Sequence, residues 1–289
     1  MIPKAYPPRR EQGHAAGTLL GADVGATLAK IVAVFPDGRR ERRLVPSADA
    51  DSVVATVAEF APQRTGLTGG GGSRLAPRLA GAPRMTGEFE AWATGARAML
   101  REQLESPPEA FLLVSVGTGT SAMLVRGPES VRVGGTALGG GTVVGLAKAL
   151  FGSSDFDDIS LRAKRGDRRR VDLLVRDAYP GGDAPLPGEL NAASFARLAR
   201  EEAPPDDDDL AHAVMGLVAE NVALICGGLA AAAGVAHIVY GGATIRGNDS
   251  VSDILRAVAP LHGCRAIVLS RGEFTGARGA LELAASSVA

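Results

Sequence analysis

The sequence predicts an α/β fold, and three observations carry that reading. β-rich apolar runs alternate with segments whose apolar spacing is helical. A strand, a Gly/Thr turn and a second strand occur in succession twice, at Thr18–Phe35 and Phe111–Val125, as an internal pseudo-repeat. The 289 residues, 46% hydrophobic, suffice for one large domain or two lobes with proper cores.

In order, Thr18–Ala22 reads as a short strand running into Asp23-Val24-Gly25-Ala26-Thr27, and Leu28–Phe35 as the next. Pro36-Asp37-Gly38 is a hairpin turn, and Arg40–Val45 a third strand. Ser47–Phe60 has helical spacing, and Arg74–Ala80 reads as a short helix. Glu88 opens a helix whose apolar stripe is Phe89, Trp92, Ala93, Ala96, Met99, Leu100 and Leu104. The second strand–turn–strand is cut by Gly117-Thr118-Gly119-Thr120. Arg132-Val133-Gly134-Gly135 and Gly139-Gly140-Gly141-Thr142 follow, and then a helix with Val143, Leu146, Ala147 and Leu150 on one face. Further helices are predicted over Phe156–Arg165, from after Phe195 to about Glu202, over Leu210–Ala232 and over Ser252–Val258. Strands are predicted at His237–Tyr240 and Ala266–Ser270.

Glycine lets backbone N–H groups approach an anion, and a helix start adds unpaired N–H groups and partial positive charge. Each cluster alone reads better as a turn or an ordinary helix entry. Three of them between Gly117 and Gly141, flanked by strand and helix, point to a nucleotide. The Asp206–Asp209 run lacks calcium-loop spacing and reads as a helix start.

Net charge −1 and 4% aromatics predict neither a nucleic-acid nor a membrane partner. Cys226 and Cys264 form no metal spacing and read as buried thiols in a reducing compartment. His14 falls in a tail, and His212, His237 and His262 share no motif. Residues 1–17 read as a disordered tail without a secretory h-region. The apolar run Val222–Ala236 is shorter than the roughly 18–20 residues of a bilayer span, so a core helix and a cytoplasmic protein are expected.

GTGTS followed by RVGGTALGGGTVVGL resembles the type II pantothenate kinases, within the acetate kinase, sugar kinase, Hsp70 and actin superfamily. So do Asp23-x-Gly25-x-Thr27-x-x-Lys30, E-F-E-A at Glu88 (E-F-D-A in the family), VDLLVRDAY at Val171, and the closing G-A-R-G-A-L. The resemblance covers about Leu19–Leu283, with Ala26 and Ala243 as departures. It implies a two-lobed actin-like (ribonuclease H-like) fold with a mixed sheet in each lobe: tail 1–17, N-terminal lobe 18–109, C-terminal lobe 110–289. It implies phosphorylation of pantothenate by ATP to 4′-phosphopantothenate, the first step of coenzyme A synthesis, by a homodimer. By the same resemblance Glu88 is the base, where spacing alone would favour a plain helix start. Asp23 would hold Mg²⁺. Gly25, Thr27, Lys30, Gly140, Gly141 and Thr142 would serve the phosphates, and Phe156 and Ala243 the rest of ATP. Thr118 would contact ATP and pantothenate, and Arg132 pantothenate. Lys30 and Arg132 also fit as solvated strand-edge charges. The alternatives are an aminosugar kinase or activator ATPase of the superfamily, or a non-catalytic nucleotide sensor. Activator ATPases usually carry a cluster-binding cysteine pair and most ROK kinases a Cys-rich zinc motif, and neither is found here.

Overall fold

The computed structural model describes residues 17–184, 186–199 and 205–286. The expected tail, apart from Gly17, lies outside them, as does the end of the helix expected to reach Glu202. The first strand–turn–strand is β1 (Leu19–Val24) and β2 (Leu28–Val34), extended by β3 (Arg40–Pro46). Helix α1 (Ala50–Glu59) starts later than expected because Asp49 caps it, accepting from the Ser52 N–H at 2.9 Å. Strand β4 (Arg64–Thr68), a single turn α2 (Gly72–Leu75) and the short β5 (Arg84–Met85) lead to α3 (Glu88–Gln103). The five strands form one mixed sheet, β3-β2-β1-β4-β5.

The second half repeats the plan. Strands β6 (Ala110–Val116), β7 (Thr120–Arg126) and β8 (Glu129–Thr136) run antiparallel and lead into α4 (Gly140–Phe151) and α5 (Phe156–Arg165). A two-stranded ribbon pairs β9 (Leu173–Leu174), which runs on into α6 (Val175–Ala178), with β10 (Asn191–Ala193). Then come α7 (Asp207–Ala232), β11 (His237–Gly241), α8 (Asp249–Val258), β12 (Arg265–Val268) and α9 (Thr275–Ala285). The second sheet has the order β12-β11-β6-β7-β8.

After β10, Phe195 takes a left-handed φ of 60° and donates its N–H to the Asp172 carboxylate, so the expected helix gives way to a short 3₁₀ turn, Ala196–Ala199. In the acidic run, Asp206 caps α7 by accepting from the Asp209 N–H at 2.8 Å, Asp207 and Asp208 pair with Arg162 and Arg165, and Asp209 accepts from the Asp167 N–H. Helix α7 continues unbroken through Gly227-Gly228. Its apolar stretch is longer than the run read from the sequence, and by length and composition it could cross a bilayer. Two-thirds of that stretch is buried inside the protein, in the core shared with α4, α5, α8 and the second sheet, as in a core helix.

The two sheets are joined by exchanged helices. Helix α3 packs Trp92, Ala96 and Leu100 on the second sheet, against Phe111, Leu113 and Val239. Helix α9 packs Ala277 and Leu281 on the first, against Val32 of β2. Helices α3 and α9 then pack on each other. The contact is backbone to backbone. A Cβ on Gly95 would lie 1.9 Å from the Thr275 carbonyl oxygen, and one on Gly279 would lie 1.7 Å from that of Ala91.

Candidate active site

The C-terminal ends of β1 and β6, the start of α3 and the loop after β11 enclose a cleft of about 650 Å³. Its walls carry Asp23, Gly25, Thr27, Lys30, Glu88, Thr118, Gly140, Gly141, Phe156 and Ala243, ten of the twelve residues read as candidates. The two Gly/Thr turns meet across it, with the Thr27 and Thr118 hydroxyls 3.3 Å apart. Gly25 N–H donates to the Leu28 carbonyl at 3.2 Å, and Ala26 does not take a positive φ, so alanine is accommodated in this turn.

Asp23, one residue before the end of β1, is 3% exposed. Burial pushes its carboxyl above the ordinary carboxylate range, with the Lys30 ammonium and the Trp92 indole N–H partly opposing. Gly276 is required where Asp23 and Trp92 converge, since a Cβ there would sit 2.5 Å from Asp23 Oδ2 and 2.8 Å from Trp92 Nε1. Glu88 is the first residue of α3 and lines the cleft although the residue as a whole is exposed. Partial desolvation raises its pKa first, the Asp23 charge raises it further, and Lys30 opposes. Glu88, Asp23 and Lys30 are therefore one electrostatic unit. Glu90 is exposed and does not line the cleft.

The glycines at α4 act differently from the expectation of open amides. Gly140 and Gly141 line the cleft, but their N–H groups donate to the carbonyls of Gly117 and Thr118 at 2.8 and 2.9 Å. A Cβ on Gly139 would lie 2.6 Å from the Thr118 carbonyl oxygen, so this glycine is needed for loop-on-loop packing. Thr142 does not line the cleft. Its hydroxyl donates to the Ala137 carbonyl at 3.2 Å and accepts from the Gly139 N–H at 3.3 Å, which closes the helix start. The hydroxyl of Thr244, next to Ala243, donates to the Gly117 carbonyl at 2.8 Å.

Arg132 also lies off the cleft wall. It is exposed on β8, opposite Met123, at a bulge in the β7–β8 pairing. Its Nη2 lies 3.1 Å from where a Gly135 Cβ would be, and Gly135 pairs with the cleft residue Ser121, so the guanidinium reaches towards the rim. Among the wall residues that sequence reasoning did not single out are Trp92 and Glu273. Trp92 shares the α3 stripe with core residues, and Glu273 belongs to no motif. Among the described residues no cluster of three or more His, Cys, Asp or Glu could hold a metal by itself.

The Fumble family model matches residues 88–282. The type II pantothenate kinase of Staphylococcus epidermidis is 31% identical over 266 residues, spanning 91% of this chain and 99% of that protein. The chain belongs to the type II pantothenate kinase family. The enzyme of Bacillus cereus is also 31% identical, over 269 residues, covering 91% of this chain and 96% of its own. Among solved structures, component A of the (R)-2-hydroxyglutaryl-CoA dehydratase of Acidaminococcus fermentans superposes with a TM-score of 0.62 at 18% identity, over 93% of this chain and all of that one. A ROK-family glucokinase from Streptomyces griseus, in complex with glucose and AMPPNP, gives 0.60 at 15% identity, over 94% and 100%. These neighbours establish the fold: the two mixed five-stranded sheets form a two-lobed actin-like ATPase fold.

Proposed function

We propose that this protein transfers the terminal phosphoryl group of ATP to the 4′-hydroxyl of pantothenate, the first step of coenzyme A synthesis. The observation that carries the proposal is the meeting of Asp23, Lys30 and Glu88 on one wall of a cleft closed by two Gly/Thr loops. Phosphoryl transfer needs positioning, charge neutralisation and a deprotonated acceptor. Glu88 takes the acceptor proton, its raised pKa moving it towards the range of an effective base. Gly25, Thr27, Lys30 and Thr118 position the phosphates. Gly140 and Gly141 form a wall without side chains, and Thr142 supports it as a cap. Phe156 and Ala243 border the rest of the nucleotide. Arg132 pairs with the pantothenate carboxylate from the rim.

A cation fits this donor set. Mg²⁺ is commonly held by one or two carboxylates together with substrate phosphates, and Asp23 is a buried carboxylate at the cleft wall. When bound, Mg²⁺ would neutralise phosphate charge. The proposal includes the division into lobes at 109/110, with α3 and α9 exchanged across it, and a cytoplasmic homodimer. The exposed Val131 and Val133 on the edge strand β8 and Leu224 and Ile225 on α7 support the dimer.

The test is ADP release measured over pantothenate, pantetheine, glucose and N-acetylglucosamine. Pantothenate-dependent turnover is expected. Turnover on a hexose with none on pantothenate would instead favour a sugar kinase.

A further inference from the structure

Glu273 is the one carboxylate on the cleft wall that the proposed chemistry does not use. It is 6% exposed, and among the described residues its carboxylate has no hydrogen-bond or ion-pair partner. Its oxygens are not among the side-chain atoms sealed from solvent, so the carboxylate opens onto the space it lines and is free to meet a ligand there. The residue borders two spaces at once, the cleft and an adjoining cavity of about 340 Å³, which also share Gly242 and Arg246.

Its place is fixed by backbone bonds. The Gly242 N–H donates to the Gly272 carbonyl at 3.1 Å, which puts Glu273 directly beside the Gly242–Thr244 loop. On its other side that loop is tied to the Gly/Thr turn after β6. There the Thr244 N–H donates to Val116 at 3.1 Å and the Thr244 hydroxyl to Gly117 at 2.8 Å. A nucleotide whose phosphates lay on the Gly117–Gly119 side would run along this loop, with its sugar between phosphates and base. A carboxylate offers two acceptors side by side, and a vicinal diol offers two convergent donors. A cation is a poorer match, because among the described residues Glu273 belongs to no group of three or more His, Cys, Asp or Glu that could hold a metal. Arg246, a cation on the shared wall, is engaged by Asp157 at 3.2 Å.

We infer that Glu273 is a specificity-determining residue that accepts hydrogen bonds from the 2′- and 3′-hydroxyls of the ribose and selects ribonucleotides. The inference rests on the ATP-dependent reading above, but not on pantothenate as the acceptor. Trp92 is the only tryptophan in the chain and lines the cleft, so its fluorescence reports nucleotide binding without turnover.

The experiment titrates ATP, 2′-deoxy-ATP, 3′-deoxy-ATP and ITP into wild type, Glu273→Gln and Glu273→Asp, with thermal unfolding as a fold check. Loss of charge-assisted hydrogen bonds predicts roughly 10- to 100-fold weaker binding of the deoxynucleotides by wild type. Glu273→Gln is expected to bind ATP and 2′-deoxy-ATP alike. Equal binding of ATP and both deoxynucleotides by wild type overturns the inference. So does a discrimination that survives in Glu273→Gln, or a Glu273 effect confined to ATP over ITP, which would assign the carboxylate to the 6-amino group. If Glu273→Gln fails to fold, Glu273→Asp and the wild-type series decide the question. Ribose selection through Glu273 without pantothenate turnover refutes the substrate reading and leaves this inference standing.

Discussion

Gly95→Ala tests the junction between the two sheets. The new Cβ would lie 1.9 Å from the Thr275 carbonyl oxygen and 2.9 Å from the Gly279 nitrogen, where ordinary contact begins near 3.4 Å. Both obstacles are backbone, so α3 and α9 must part by about 1.5 Å, the shortfall in the first contact. Overpacking typically costs about 1–3 kcal/mol, and backbone obstacles put this site at the upper end. Alanine's helix propensity returns about 1 kcal/mol, leaving a net loss of about 2 kcal/mol. Gly145→Ala is the control, because that residue lies inside α4 and a Cβ there meets nothing within 4 Å. It should gain about 0.5–1 kcal/mol. Urea unfolding measures both. Activity should fall with stability in Gly95→Ala alone, since α3 opens with Glu88, and a displacement of about 1 Å can cost about 10²-fold. If Gly95→Ala matches Gly145→Ala in stability and wild type in turnover, the close helix contact does not hold the cleft.

Glu88→Gln should lower kcat by roughly 10²–10⁴-fold with ATP affinity kept, and Glu90→Gln, off the cleft, by little; steady-state kinetics on both variants checks this. Both Asp23 and Glu88 are raised, so the acid limb of kcat/KM should lie above the ordinary Glu value of 4.5, and Lys30→Met should move it higher because Lys30 opposes both shifts. The stability sign follows: a raised carboxylate favours folding most below its unfolded pKa, and that contribution is lost as pH rises through the folded value, which melting curves across pH would show. Arg168→Met strands the Glu220 carboxylate, 3% exposed and 2.6 Å from Arg168, and should cost about 3–5 kcal/mol in chemical denaturation, most of it regained in Arg168→Met with Glu220→Met.

Much of this was legible because it is local. The two strand–turn–strand units, the helix opening at Glu88 and the capped acidic run are each written in a few adjacent residues. What escaped depends on contacts made far along the chain. An indole four positions from Glu88 looks like any core aromatic until Gly276, far along the chain, brings Asp23 against it. The N–H groups of Gly140 and Gly141 look open until the Gly117 and Thr118 carbonyls fold over them. The run Val222–Ala236 understates α7, because the helix extends back to Asp207 through polar residues that interrupt the run but leave its average apolar. Glu273 carries no pattern and stands out only through its place on the cleft wall.

The exchange of α3 and α9 also sets an order of events during synthesis. Strands β1 to β5 leave the ribosome first, yet one face of their sheet has its cover in α9, with the Ala277 and Ala280 carbonyls pressed against Gly21 and Gly66. That face stays bare until the chain has been made through Ala285. The lobe that is translated first is therefore completed last, and a nascent chain stalled before Thr275 would present an uncovered apolar sheet to chaperones and proteases.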